Sequence, residues 1–350
     1  MLPEPGHILP TLRVAKRLET RGHRVSYASL CAVQAFLKQY SLECVRILRK
    51  AFPEESQEFL PSLVFRKRLT AHAALTGYTL SELVSSELPP HEFDTLLCDS
   101  KIIDCCGVAL GQLLGRRVIA IQTDLPDATI PAVEYMPKIV LCPRELHMPH
   151  ETLLHNDLTL YAEPSVFRSR NEKVLDSRAG VDKLIYCSLG TQSLRYRDRF
   201  RILKAIIDAF KAKRFHLLIH ANSDYSALRS IVLPSNVEVV ESARQLEALR
   251  VAKLFITHGG LGSIKEAVMA GVPCLVIPFD FDQPRNGERI HHHKLGTYCS
   301  PAQCTAERVW RLASQVMEDT NITQSVDQMR RTFWKYETEA PATEFILRES

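Results

Sequence analysis

The chain has 350 residues, 45% of them hydrophobic and 24% charged, with a formal net charge of +4. That length suits two domains rather than one core, and the mild charge, with no Lys/Arg block dominating a segment, argues against a nucleic-acid partner. No apolar run is long enough to span a bilayer, so a transmembrane segment is excluded and only peripheral membrane contact stays open. No leader-like segment opens the chain, and its ten cysteines show no CxxC pair, so a reducing cytoplasm is the expected compartment. Cys299 and Cys304 near the three histidines at 291–293 match no zinc spacing.

The first ten residues, "MLPEPGHILP", read as a loop, where a doubly wound domain would open on a strand. That first strand looks absent or reduced to Met1-Leu2. "LPTLRVAKRLETRG" then has helical spacing and ends at Gly22, and "HRVSYAS" follows as a strand. "FRKRL" (Phe65 to Leu69) is the densest basic cluster and reads as a solvated helix face. "FDTLLCD" is a strand, "DCCGVALGQLLG" a helix and "RRVIAIQT" a strand. Between 127 and 180 the pattern loosens around five prolines, which places an interdomain connection there.

The second half alternates more cleanly. "KLIYCSLG" is a strand, "RDRFRILKAIIDAFKAK" an amphipathic helix, and "FHLLIHA" and "VEVVE" are strands. "ARQLEALRVA" reads as a short helix, "KLFITH" as a strand, "SIKEAVMAG" as a helix closed by Gly271, and "PCLVIPF" as a strand. Strands alternating with helices imply a parallel sheet covered on both faces. The chain is therefore expected to be α/β, built as two doubly wound domains.

In such sheets ligands bind beyond the carboxyl ends of the strands. "LFITHGGLGSIKEAV" is one such end. Gly259, Gly260 and Gly262 would let bare backbone turn into a helix whose N-terminus suits an anion. Ser263 would cap that helix or meet a phosphate oxygen, and His258 would add a donor. Glu266, one turn on, suits ribose hydroxyls, and Asp282 with Gln283 suits sugar hydroxyls. Together they read as a nucleotide-sugar site. His7, taken alone, is an exposed loop histidine.

"THGGLGSIKEAVMAGVPCLVIPFDFDQPRN" resembles the signature of the family 1 glycosyltransferases, the UDP-glycosyltransferase superfamily, in the style of the microbial macrolide and carotenoid enzymes. "YCSLGT" and "GHILPTLRVAKRLETRGHRVSYAS" are similar to two further motifs of that family, so the resemblance covers essentially the whole chain. It implies the GT-B fold: two Rossmann-like doubly wound domains facing across a cleft. The implied division is an acceptor-binding domain at 1–165 lacking its first strand, a nucleotide-sugar-binding domain at 166–325, and a helix at 326–350 crossing back, with "VDQMRRTFWKYE" as its candidate.

The resemblance also implies an inverting, metal-independent transfer of a hexose from a nucleoside diphosphate sugar, UDP first, to a hydroxyl of a small lipophilic acceptor. No cofactor is implied beyond that co-substrate. His7 becomes the base, with Asp99 at the end of "TLLCD" orienting it and Asp104 as the runner-up. Gly190 and Thr191 would approach the diphosphate, and Gln245 the nucleotide. One departure concerns the base: the family's Trp position reads Ser242 and its Pro position Arg244. The alternatives are a truncated or non-catalytic binder and a GT-B nucleotide-sugar epimerase. GxGxxG after a first strand, the mark of a nicotinamide oxidoreductase, is not present in that place.

Overall fold

A computed structural model describes residues 2–53, 59–60, 62–88, 93–101, 109, 112–125, 136–148, 158–166 and 184–348. Most of the helix expected at 104–115, with Asp104, lies outside the described residues, as does much of the expected connection at 127–180. The chain divides into two compact units, one of Met1–Arg144, Pro149–Ser169 and Tyr336–Ser350, the other of Glu145–Met148 and Arg170–Lys335.

The first unit opens on helix α1 (Pro5–Thr20), not on a loop. Pro5 sits at the helix start, where a missing N–H costs nothing, and Pro10 is accommodated one turn further in. His7 is therefore the third residue of a helix, where the sequence suggested a loop. Gly22, at φ 87°, lets the chain leave α1.

Strand β1 (Ser26–Ser29), helix α2 (Cys31–Lys38) and β2 (Glu43–Arg46) follow, and β1 pairs in parallel with β2 from Ser26↔Glu43 to Ser29↔Arg46. Helices α3 (Ser62–Thr76) and α4 (Leu80–Ser85) lead to β3 (Thr95–Asp99). Phe65 and Leu69 at the ends of "FRKRL" are buried, while the Arg68 guanidinium lies 4.9 Å over the Phe52 ring. That helix is solvated on one face only.

β4 (Arg117–Gln122), β5 (Lys138–Val140) and β6 (Thr159–Tyr161) complete a four-stranded parallel sheet in the order β3-β4-β5-β6. Two of these strands lie where the sequence suggested a bare connection; at three residues each they are too short to show a period. Among the described residues no ladder joins β1-β2 to β3-β4-β5-β6.

Helix α1 serves two cores. Ile8, Leu12 and Ala15 pack with Tyr27, Val33 and Leu37, while Val14 and Leu18 pack with Ile119, Ile121 and Ile139. Each set recurs at three- or four-residue spacing, the signature of one helix face. Truncating a fully buried leucine such as Leu12 costs about 2–5 kcal/mol.

The second unit holds six parallel strands: β7 (Leu184–Ser188), β8 (His216–His220), β9 (Val237–Val240), β10 (Ala252–Thr257), β11 (Cys274–Val276) and β12 (Gly296–Tyr298). Their spatial order is β12-β11-β10-β7-β8-β9. Every residue of β7 is buried, as a strand covered on both faces requires. Between strands run α5 (Arg199–Phe210), α6 (Tyr225–Arg229), α7 (Gln245–Val251), α8 (Leu261–Ala270) and α9 (Gln283–His292).

Gly271 closes α8 at φ 78°, its N–H bonded to Val268 O at 3.0 Å. Helix α10 (Ala306–Glu318) is followed by α11 (Thr320–Glu339), which carries the chain from the second unit into the first. On α11 Phe333 is fully buried and the Trp334 indole donates to Met269 O at 3.1 Å. Helix α12 (Pro341–Arg348) puts Ala342 and Ile346 into the first unit's core beside Val14 and Leu18. Among the described residues no helix is long and apolar enough to cross a membrane.

Candidate active site

The strand order of the second unit reverses between β7 and β10, from which successive strands run outward on either side. A crevice opens at the carboxyl ends of such a pair, and ligands of doubly wound sheets bind there. β7 ends at Ser188 and β10 at Thr257, so the turns at 189–191 and 258–260 both belong to this switch point.

Two of the glycines there answer to one side chain. Gly190 has φ 79°, and a Cβ on it would lie 2.4 Å from the His258 ring. A Cβ on Gly260 would lie 2.6 Å from His258 Nε2. The half-buried imidazole thus occupies space that two side chains would fill. Burial pushes its pKa down to about 4, against a hydrogen bond to the Ser188 backbone, so the ring is neutral near pH 7 and offers an N–H without charge. Gly259, at φ 91°, faces Val276 Cγ1, which its Cβ would approach to 2.5 Å.

Gly262 differs from the other three. It lies inside α8, and a Cβ there would meet nothing within 4 Å. The turn does not need it. Gly260, not Ser263, holds the N-cap position of α8, and no side chain caps that end. The first N–H groups of a ten-residue helix therefore present the positive end of its dipole at the switch point.

Ser263, Glu266 and Gln245 come together. The Gln245 amide, at the first residue of α7, donates to Ser263 Oγ at 3.2 Å and to Glu266 Oε2 at 2.5 Å. Thr191 is exposed in the turn after β7.

Asp282 and Gln283 part ways. Asp282 is the residue before α9, and its Oδ2 accepts from Asn286 Nδ2 at 2.8 Å; the same Nδ2 donates to Gly259 O at 2.9 Å. Gln283 is buried and turned inward, contrary to the sequence expectation that it faces sugar hydroxyls. Its Oε1 accepts from the Phe279 and Asp280 N–H groups at 2.9 and 3.2 Å, and its Nε2 donates to the Tyr196 hydroxyl at 2.7 Å. Tyr196 in turn stacks on Phe279 at 4.1 Å. Gln283 ties the loop after β11 to the loop carrying Thr191. Sequence reasoning missed Asn286 and Tyr196; their roles depend on contacts 27 and 87 residues away in the chain.

In the first unit the same edge of a sheet gathers a second group. Asp99 ends β3, and Thr123 and Asp124 follow β4. His7 Nδ1 lies 3.0 Å from Asp99 Oδ2 and 3.3 Å from Thr123 Oγ1. Asp99 is almost fully buried, and its other oxygen accepts from the Lys101 N–H at 2.9 Å. Lys101 Nζ pairs with Asp124 at 2.7 Å.

Burial disfavours the protonated His7 ring, but the hydrogen bond and charge of Asp99, helped by Asp124 and Glu4, outweigh it and raise its pKa. Burial likewise works against the Asp99 carboxylate, yet His7 and the Lys101 N–H hold its pKa below the usual value. With Nδ1 committed to Asp99, Nε2 is the nitrogen left to take a proton. Thr123 carried no sequence signal; only the parallel pairing of β3 with β4 brings it to His7.

Residues 212–338 match the family described as the erythromycin biosynthesis protein CIII-like, C-terminal domain. The NDP-glycosyltransferase YjiC of Bacillus subtilis (strain 168) is 23% identical over 367 residues, covering 94% of this chain and 91% of that protein. The solved glycotransferase of kitacinnamycin aligns with a TM-score of 0.82 at 22% identity, covering 99% of this chain and 97% of that one. A spinosyn rhamnosyltransferase solved in complex with thymidine diphosphate aligns with a TM-score of 0.73 at 19% identity, covering 99% and 97%. The fold is GT-B.

Proposed function

We propose that the chain, a family 1 glycosyltransferase of the microbial macrolide type, moves a hexose from a nucleoside diphosphate sugar to a hydroxyl of a small lipophilic acceptor, with inversion. The observation that carries this reading is the switch-point turn, where His258 is wedged between Gly190 and Gly260 at the start of α8. Bare backbone and a helix N-terminus in a crevice suit a diphosphate. Glu266, oriented by Gln245, suits the ribose hydroxyls, and Asp282 the sugar.

The chemistry divides between the two groups. His7, through Nε2, removes the proton from the acceptor hydroxyl as that oxygen bonds to the anomeric carbon. The bond from that carbon to the diphosphate breaks with its electrons on the leaving oxygen. The N–H groups at 260–263, Ser263 and Thr191 stabilise the developing charge. Asp99 keeps the imidazole in the tautomer with Nδ1–H and stabilises the imidazolium that forms.

This reading makes the first unit the acceptor domain and the second the donor domain. It routes no step through a metal, so adding a chelator should leave turnover unchanged.

Ser242 and Arg244 stand where the family has Trp and Pro, so the site lacks that family's ring for the donor base. The relative complexed with thymidine diphosphate puts that nucleotide beside UDP as a candidate. The test is turnover of UDP- and dTDP-hexoses with macrolide and phenolic acceptors by the wild type and His7→Ala. Transfer by the wild type and its loss in the variant is the expected result; full activity in His7→Ala would sink the mechanism.

A further inference from the structure

The second unit carries an open cavity of about 470 Å³ at the edge of its sheet opposite the switch point. Lys213, Arg214 and Phe215 on its wall lead into the amino end of β8, and Lys253 is the second residue of β10. Another wall comes from α10, where Trp310, Ser314 and Met317 recur at helical spacing, with Glu318 beside them. The volume falls within the range of small-molecule sites.

The backbone places the cations. The ladder of β10 with β7 runs from Ala252↔Leu184 to Leu254↔Ile185, so Lys253 drops out of the register in a bulge. Bulges re-aim a side chain and are frequent beside ligand sites. Before β8 the chain turns at Ala212, whose φ of 57° is a left-handed conformation that alanine rarely takes. The Asn236 amide holds that turn: its Nδ2 donates to Phe210 O at 2.8 Å and to Phe215 O at 2.9 Å. Lys213 Nζ then lies 4.3 Å over the Trp310 ring, and Phe210 packs edge-on against the same ring at 5.7 Å.

These groups lack a counter-ion. Among the described residues Lys213, Arg214 and Lys253 form no ion pair. On the cavity wall they stand against the single carboxylate of Glu318, which leaves a surplus of two positive charges. Ser314 Oγ is buried with no hydrogen-bond partner, although a helical serine can bond back to the preceding turn. A buried, unsatisfied hydroxyl beside unpaired cations suits an anion rich in acceptor oxygens.

We propose that this cavity binds an organic phosphate, a phosphomonoester dianion carrying a planar apolar group. The dianion matches the surplus charge, and its oxygens accept from Lys213, Arg214, Lys253 and Ser314. Because Lys213 lies on the indole, a phosphate held by it brings its attached group against Trp310 and the Met317 thioether. The site shares no residue with the switch-point turn and is independent of the transfer reaction proposed above.

Of the chain's two tryptophans, Trp310 lines the cavity and Trp334 does not, so Trp334→Phe leaves one local fluorophore. Its emission is titrated with phenyl phosphate, phenol and inorganic phosphate. The expected result is a saturable change with phenyl phosphate, at lower concentration than with inorganic phosphate, and none with phenol. Lys253→Gln and Arg214→Gln, in chains that melt with the wild type, should each weaken phenyl phosphate about tenfold, the scale of one charge-assisted hydrogen bond. Calorimetric titration of the wild type and of these two variants repeats the comparison with Trp334 in place. Absence of a saturable change, equal affinity in Lys253→Gln, or inorganic phosphate or phenol binding as tightly as phenyl phosphate would overturn the proposal. An emission shift with phosphatidylglycerol vesicles and none with phenyl phosphate would make this face a membrane contact and overturn it too.

Discussion

His7 and Asp99 hold one another's charge, and the sign of that coupling sets how the protein should respond to pH. The raised His7 pKa means that its contribution to stability is full below its ordinary value near 6.5 and fades as pH rises through the folded value. The lowered Asp99 pKa contributes above its ordinary range and is lost as pH falls through the folded value. With His7 as the proposed base, catalysis runs the other way, since a base must be unprotonated. The acid limb of kcat/KM should therefore have its midpoint above 6.5. Asp99→Asn should move that midpoint down and lower kcat by roughly 10²- to 10⁴-fold, the range general base catalysis supplies. A pH-rate profile of the variant checks both; an unmoved midpoint contradicts the pairing.

The glycines at the switch point separate along the same lines. Gly190→Ala and Gly259→Ala force a side chain into the left-handed region, a cost of about 1–2 kcal/mol, before the contacts with His258 and Val276 are counted. Both variants should melt lower and bind nucleotide poorly. Gly262→Ala meets open space within a helix, where alanine is favoured by about 1 kcal/mol. Its melting temperature should hold or rise while nucleotide affinity falls several-fold, because the bare surface at Gly262 then serves the ligand. Calorimetry against UDP and dTDP distinguishes the three.

Among the elements, β7, β10 and α8 were legible in the sequence for a physical reason. Strands buried on both faces are unbroken apolar runs, and Gly271 closes the helix with a left-handed residue. β5, β6 and β12 hold three residues each, which is below any period. The helix α9 was hidden for the opposite reason. "QPRNGERIHH" is mostly polar, yet Gln283, Asn286 and Arg289 are buried: Gln283 accepts from the Phe279 and Asp280 N–H groups, Asn286 donates to Gly259 O, and Arg289 donates to Asn286 Oδ1. At the sites, the glycine turn and the Glu266 position could be read from spacing. The inward rotation of Gln283 could not, since it depends on Tyr196 on another loop.

Helix α1 shows what an element owes to distant partners. Arg17 pairs with Glu163 at 3.1 Å and with Glu337 at 2.9 Å, and Arg13 reaches Glu337 at 2.6 Å. Glu163 is completely buried, and burial raises its pKa despite Arg17 and the Ala342 N–H. These contacts hold the helix that carries His7. Glu337→Gln should lower unfolding free energy in urea by roughly 1.5–3 kcal/mol, the scale of a charged hydrogen bond. It should also reduce kcat more than it changes KM. A variant equal to wild type in both would show the clamp to be idle.

Over the whole molecule, the first unit is discontinuous. Its core takes Val14 from the chain start, Ile139 from the middle and Ile346 from the end. Removing residues 336–350 should therefore leave the second unit's melting transition in place while the first unit's moves down and broadens, visible as two separated steps in a calorimetric scan. A single unshifted transition would contradict this.

The closing of α1 by the last helices also fixes an order of events on the ribosome. Between the emergence of Ser169 and of Tyr336 all of the second unit but Glu145–Met148 is made, which at about 5–20 residues per second takes roughly 8–33 seconds. For that interval Val14, Leu18 and Ile119 lack Ala342 and Ile346, and Arg17 faces Glu163 without Glu337. The nascent protein must carry an incomplete apolar face until Ala342 and Ile346 arrive. Proteins that shield such faces would meet this chain early, before its second unit is complete.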